Sequence, residues 1–196
     1  TSRVGSITQS GRFLAIMIIA REKRRTNVAE YVIYMWQVED MIRACKLDME
    51  LIRKQIIEKY DATDEVKKEI EQWYESLIHM MRESGVSERG HLPLTLNTVS
   101  QMEELHQLLL RSPDERQYKM LYYAARPHII TFQMKSQLPY SGEIHACLEA
   151  LYLLLLMRLS KKEVSSATQE SMQTFSRLLA LLAQKFRAWE TGELDL

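Results

Sequence analysis

From Asn27 onward, apolar residues recur at intervals of three and four, the spacing that lines up one face of an α-helix. Val28, Tyr31, Val32, Met35, Val38, Ile42 and Cys45 share one broad face of the first such segment. Asn27, with Glu30 three positions on, has the spacing of a capping box. A shorter helix is expected from Asp48 to about Tyr60. Asp61, Thr63 and Asp64 offer caps for a third, in which Val66, Ile70, Trp73, Leu77, Met80 and Met81 repeat and Gly85 marks the stop. Gly90 and Pro93 make 86–93 a loop. A fourth helix runs to about Arg111 with Leu96, Val99, Met102, Leu105 and Leu109 inward; Ser112-Pro113-Asp114 is a break and a new start. The fifth meets Pro127, whose ring clashes with the preceding turn, so a kink or a split is expected there.

The sixth helix, about 143–159, is different. Leu148, Leu151, Leu153, Leu154, Leu155, Leu156 and Met157 point in nearly every direction around its axis, which suits a helix surrounded by others. The seventh opens on a Ser166–Gln169 capping box and carries the stripe Met172, Phe175, Leu178, Leu179, Leu182, Phe186 and Trp189, with Gly192 beyond it. The expected fold is all-α: a single-domain bundle of six or seven helices around one central, fully apolar helix. Residues 1–12 are polar and without periodicity, and Met17 would make a natural start. Residues 1–16 are therefore expected to be a disordered extension or an expression remnant, and 17–196 a single helical domain.

Composition narrows the function classes. The 26 Lys and Arg balance the 26 Asp and Glu. That removes the general electrostatic case for nucleic acid, which needs a basic surface to displace counterions. Six Gly and four Pro against eleven Met suit helices and starve a hairpin-rich β fold of turns. Cys45 and Cys147 lie inside expected helices without a CxxC partner, and read as core thiols in a reducing compartment. The apolar stretch 13–20 has the length of a signal-peptide core, but a basic run follows where a cleavage site should stand. The apolar run 151–157 is far short of the ~20 residues that cross a bilayer. A cytoplasmic protein without a transmembrane segment is expected.

Several stretches are familiar as a set: Ile19-Ala-Arg-Glu-Lys-Arg-Arg-Thr-Asn27, Ala29-Glu-Tyr31, Tyr34-Met-Trp-Gln-Val-Glu-Asp40, Arg43-Ala-Cys45, Leu154-Leu-Leu-Met-Arg-Leu-Ser-Lys-Lys-Glu163 and Thr174-Phe-Ser-Arg-Leu-Leu-Ala-Leu-Leu182. Together they resemble an uncharacterised bacterial family of short helical proteins, a domain of unknown function, over about residues 17–194. The resemblance implies an all-helical cytoplasmic protein. It supplies no activity, cofactor or site residue.

Chemistry must then be sought in the residues themselves. Glu103 and His106 stand three apart on the fourth helix, and His145 and Glu149 four apart on the sixth, so each pair shares a face. Converging, the four could bind a metal or small ligand, as Glu-x-x-His pairs do in di-iron bundles. Those bundles need two such pairs on helices and further carboxylates, and this chain has one on an expected helix; hydrogen-bonded structural pairing is the stronger reading. Glu75 and His79 project away from their helix's apolar stripe. His91 and His128 have no matching ligand nearby in sequence. Glu39 falls at the margin of an apolar face with Arg43, one turn on, as the obvious partner. Arg21, Lys23, Arg24 and Arg25 could contact a membrane or nucleic acid, though a solvated turn or pairing with the acidic tail (Glu190, Glu193, Asp195) is simpler. Tyr118, Tyr122 and Tyr123 at helical spacing read as packing. No cofactor is implied. Amphipathic faces on at least five helices exceed what one small bundle must bury. The sequence thus leans away from an enzyme and towards a protein partner or self-association, with a metal- or ligand-binding protein as the alternative.

Overall fold

The computed structural model describes residues 15–136 and 139–194, with side-chain surroundings from Ala20 onward. Among these residues the secondary structure is helical throughout: α1 (Ala15–Thr26), α2 (Val28–Ala44), α3 (Met49–Gln55), a 3₁₀ turn (Ile57–Lys59), α4 (Asp64–Glu83), α5 (Pro93–Arg111), α6 (Arg116–Ser136), α7 (Glu143–Leu159) and α8 (Ser166–Glu190). The protein is all-α. Of the expected extension, residues 1–14 lie outside the described residues, and Ala15 and Ile16 open α1.

The caps explain most boundaries. Asn27 accepts from the Glu30 N–H at 3.2 Å while its side-chain amide donates to Glu30 at 3.0 Å, a variant of the expected capping box. Thr63 caps α4 by accepting from the Val66 N–H. Pro93 stands at the first position of α5, where no N–H is missed. At α8 the capping residue is Ser165, which accepts from the Thr168 N–H at 3.2 Å, so the start lies one residue before the Ser166–Gln169 reading. Three further differences have physical causes. The basic run 21–25 is helical, on α1, because nothing in it breaks a helix. The segment after Asp48 stops at Ile56 and tightens into the 3₁₀ turn. Pro127 is exposed inside α6, where its lost N–H falls on the wet side, and the helix runs through it.

The described chain divides into two compact units. One comprises the residues up to Lys23 with Tyr34–Pro93; the other comprises Arg24–Ile33 with the residues from Leu94 onward. In the first, α3, the 3₁₀ turn and α4 pack together, and Trp36, Ile42, Ile52, Ile57, Tyr74 and Met81 are fully buried. The α4 face is turned slightly from expectation: Tyr74 and Ile78 go inward, and Trp73 is half-buried. In the second, α6, α7 and α8 pack against one another around Leu105, Tyr118, Phe175 and Phe186. Burial along α7 is uneven. Ile144, Ala146, Cys147 and Leu148 are sealed, whereas Leu153 is 37% and Leu159 69% exposed. Even at its start Glu143, His145 and Glu149 stay partly exposed, so the expected enclosure on all sides is not seen.

Candidate functional site

The start of α7 gathers much of the second unit's polar chemistry. Gly142 occupies the capping position and has no side chain to offer. Glu103, reaching over from α5, accepts from the N–H groups of Glu143 at 3.3 Å and Ile144 at 2.9 Å, which puts a carboxylate on the positive end of the helix dipole. One turn along α5, His106 is completely buried, with Nδ1 2.6 Å from the Tyr118 hydroxyl and Nε2 3.5 Å from a Glu143 oxygen. Burial, then the charges of nearby acidic groups, pushes the Tyr118 hydroxyl well above its ordinary range. The Tyr118 hydroxyl and Nδ1 share one hydrogen bond, its direction set by the imidazole tautomer. Hydrogen bonding to His106 holds the Glu143 carboxyl below its ordinary 4.5.

Glu103 and His106 thus reach the same helix end, but for different partners. His145 turns back to Ser141, its Nδ1 3.0 Å from the hydroxyl, and its ring meets Tyr140 edge-on. Glu149, one turn further along α7, interacts electrostatically with Tyr140. Among the described residues, no three His, Cys, Asp or Glu side chains are placed to hold a metal ion together. The geometry is that of a helix cap and a buried hydrogen-bond chain.

In the first unit, Glu39 is fully buried. It accepts from the Leu92 N–H at 3.1 Å and lies 2.9 Å from His91 Nδ1. Arg43, the partner expected from sequence, is more distant at 3.7 Å. Arg43 instead bonds Asp40 at 2.8 Å and the carbonyls of Val86 and Gly90. His91 stacks on Trp36 with ring centres 4.2 Å apart. These contacts clasp the 86–92 loop to α2. Glu75 and His79 are exposed and line a cleft of about 520 Å³ with Lys46, Asp48 and Arg82. His128 pairs with Ser171 at 2.9 Å. In the basic run, Arg24 makes two bonds to Glu190, at 2.9 and 2.6 Å, and lies over the Phe186 ring, so part of that charge is taken up by the tail as expected. Asp195 is outside the described residues.

One surface was not foreseen. Tyr118, Tyr122, Ala125 and Ile129 form the buried face of α6. Met120, Tyr123, Ile130 and Met134 are 71%, 64%, 39% and 74% exposed. With Pro127, these outer residues follow a three-four alternation, the seam of a coiled coil. At 3.6 residues per turn the two faces lie roughly 150° apart around the axis. The sequence signal was a second, offset repeat on one helix, hidden because Tyr123 was grouped with Tyr118 and Tyr122.

The family model for a domain of unknown function, DUF4924, matches residues 17–193. The chain belongs to the DUF4924 family. No curated protein and no solved structure matches the chain significantly. The DUF4924 match runs through both compact units and takes in the α7 cap, the Glu39 clasp and both faces of α6.

Proposed function

We propose that this DUF4924 protein is a non-enzymatic helical protein that acts by binding another protein through the outer face of α6. The observation that carries this reading is the apolar seam of Met120, Tyr123, Ile130 and Met134. Four of the six large apolar side chains exposed among the described residues lie on it. Scattered exposed apolar residues need no explanation, but a contiguous row at heptad spacing matches the way one helix recognises another. Self-association through this face is one form of the same reading. The unit is taken as one functional domain over 17–193, in keeping with the span of the family match. A bacterial, cytoplasmic setting accords with the resemblance, with two free buried thiols, and with no described helix being long and apolar enough to cross a membrane.

The test is a photo-crosslinking amino acid placed at Met120, Tyr123 or Met134 in the cell, with exposed Arg177 on α8 as control. Discrete higher-mass adducts are expected from the seam and none from the control. Adducts from neither, with purified protein sedimenting as one monomer at every concentration, would count decisively against an interface here.

A further inference from the structure

Resting on that reading, we infer that the partner presented to α6 is an acidic amphipathic helix of another protein rather than a second copy of this chain. The argument comes from charge. The 21 residues of α6 include Arg116, Lys119, Arg126 and Lys135 and no carboxylate. The chain as a whole is neutral, so this is a local imbalance. On a helical projection, Lys119 and Arg126, seven residues apart, flank the apolar seam on one side. Arg116 stands at its head, and Lys135 lies on the other side near its end. Lys119 and Arg126 hold the flanking positions from which charges choose a coiled-coil partner, whereas Lys135 lies one position outside them.

A second copy docking by the same face would offer these cations no carboxylate. In a two-fold antiparallel arrangement centred near Pro127 the same flank of each copy meets, so Arg126 of one copy would approach Arg126 of the other. In a parallel arrangement Lys119 and Arg126 would face the uncharged Ala124 and Thr131 of the other copy. Neither orientation offers an opposite charge, because α6 supplies none. A helix with apolar residues at three-four spacing and Glu or Asp at its flanks satisfies both the seam and the charges. Arg126 already interacts with Glu143 and Tyr122, so Lys119 is the better probe of this selectivity. A narrow seam between polar flanks, with small Ala124 and Thr131 exposed beside it, suits the ridge of one helix better than the broad apolar face that enters lipid.

The experiment uses the full chain and two synthetic helical peptides, each with Leu at the seam positions. One carries Glu at the flanks, and its twin carries Lys. Fluorescence anisotropy at low and high salt is expected to show the Glu peptide binding at least about ten-fold more tightly than the Lys twin, with the gap narrowing in salt. Lys119→Glu should narrow the preference. The pair Met120→Ser and Met134→Ser, on exposed positions that leave the core intact, should abolish binding of both peptides. Equal binding of the two peptides, or of neither, overturns the inference. A concentration-dependent dimer that the Met→Ser pair dissolves also overturns it, while leaving an α6 interface standing. Binding to vesicles of phosphatidylcholine with phosphatidylglycerol, lost in the same pair, would overturn both the inference and the proposed function.

Discussion

Replacing Gly142 by alanine tests the borrowed cap on α7. The backbone there is fully extended (φ 176°, ψ −172°), which alanine adopts without strain. The difficulty is space: an added Cβ would lie no more than 2.6 Å from Cδ, Oε1 and Oε2 of Glu103. A flexible carboxylate can move aside, but moving gives up both N–H bonds to the first turn of α7. Loss of a cap costs about 1–2 kcal/mol, and loss of the charge–dipole interaction about 0.5 kcal/mol more. Gly142→Ala and Glu103→Ala should therefore each destabilise by about 2 kcal/mol. In combination they should cost no more than Glu103→Ala alone, since removing the carboxylate leaves room for the methyl. With Glu103 already gone, Gly142→Ala should even stabilise by about 0.5 kcal/mol through a stiffer unfolded chain. Urea denaturation of the four proteins closes the cycle. Additive costs, within about 0.5 kcal/mol, would refute the shared mechanism.

Other expectations are simpler. Glu39→Ala leaves the buried Leu92 N–H without its acceptor and should cost about 3 kcal/mol in urea, with faster amide exchange over 86–92; Glu39→Gln should cost less. Tyr118→Phe deprives buried His106 of its hydrogen bond and should cost about 1–3 kcal/mol by the same measurement. The Glu143 carboxyl is held below 4.5 by His106 in the folded state. A depressed pKa contributes stability that is complete above the ordinary carboxylate range and lost as pH falls through the lowered value. Glu143→Gln should flatten that part of the acid limb of a stability–pH profile and leave the alkaline limb unchanged. Arg24→Ala removes a pair whose side chains are 32% and 39% exposed, so calorimetry should register less than about 1 kcal/mol, smaller still in salt.

The helices were legible because three-four periodicity and local caps act over a few residues. Thr63 before α4 could be read directly from sequence, whereas Pro93, expected in the 86–93 loop, opens α5. Partners distant in the chain could not. Nothing near Gly142 announces that its cap comes from Glu103, and nothing near Glu39 points to Leu92 across the 86–92 loop. The four candidate ligands were plausible because spacing puts each pair on one face, yet spacing is silent about which face meets which. His106 found Tyr118 and Glu143, while His145 found Ser141. Leucine abundance in α7 overstated enclosure, since apolar composition cannot tell the sealed Leu148 from the exposed Leu159. The second seam on α6 was present in the sequence, but its meaning depends on knowing that Tyr118 and Tyr122 already fill the inward face.

The two cysteines occupy separate compact units: Cys45 belongs to the first and Cys147 to the second, and both are buried. Burial raises both thiol pKa values, aided at Cys45 by Asp48 and at Cys147 by Glu103 and Glu143. Each unit consequently carries its own chemical clock. Alkylation followed by peptide mass spectrometry dates the opening of each unit independently. A ligand on α6 that slows labelling of Cys147 and leaves Cys45 unchanged would reveal, without any structure of the complex, that its grip extends no further than the unit it touches.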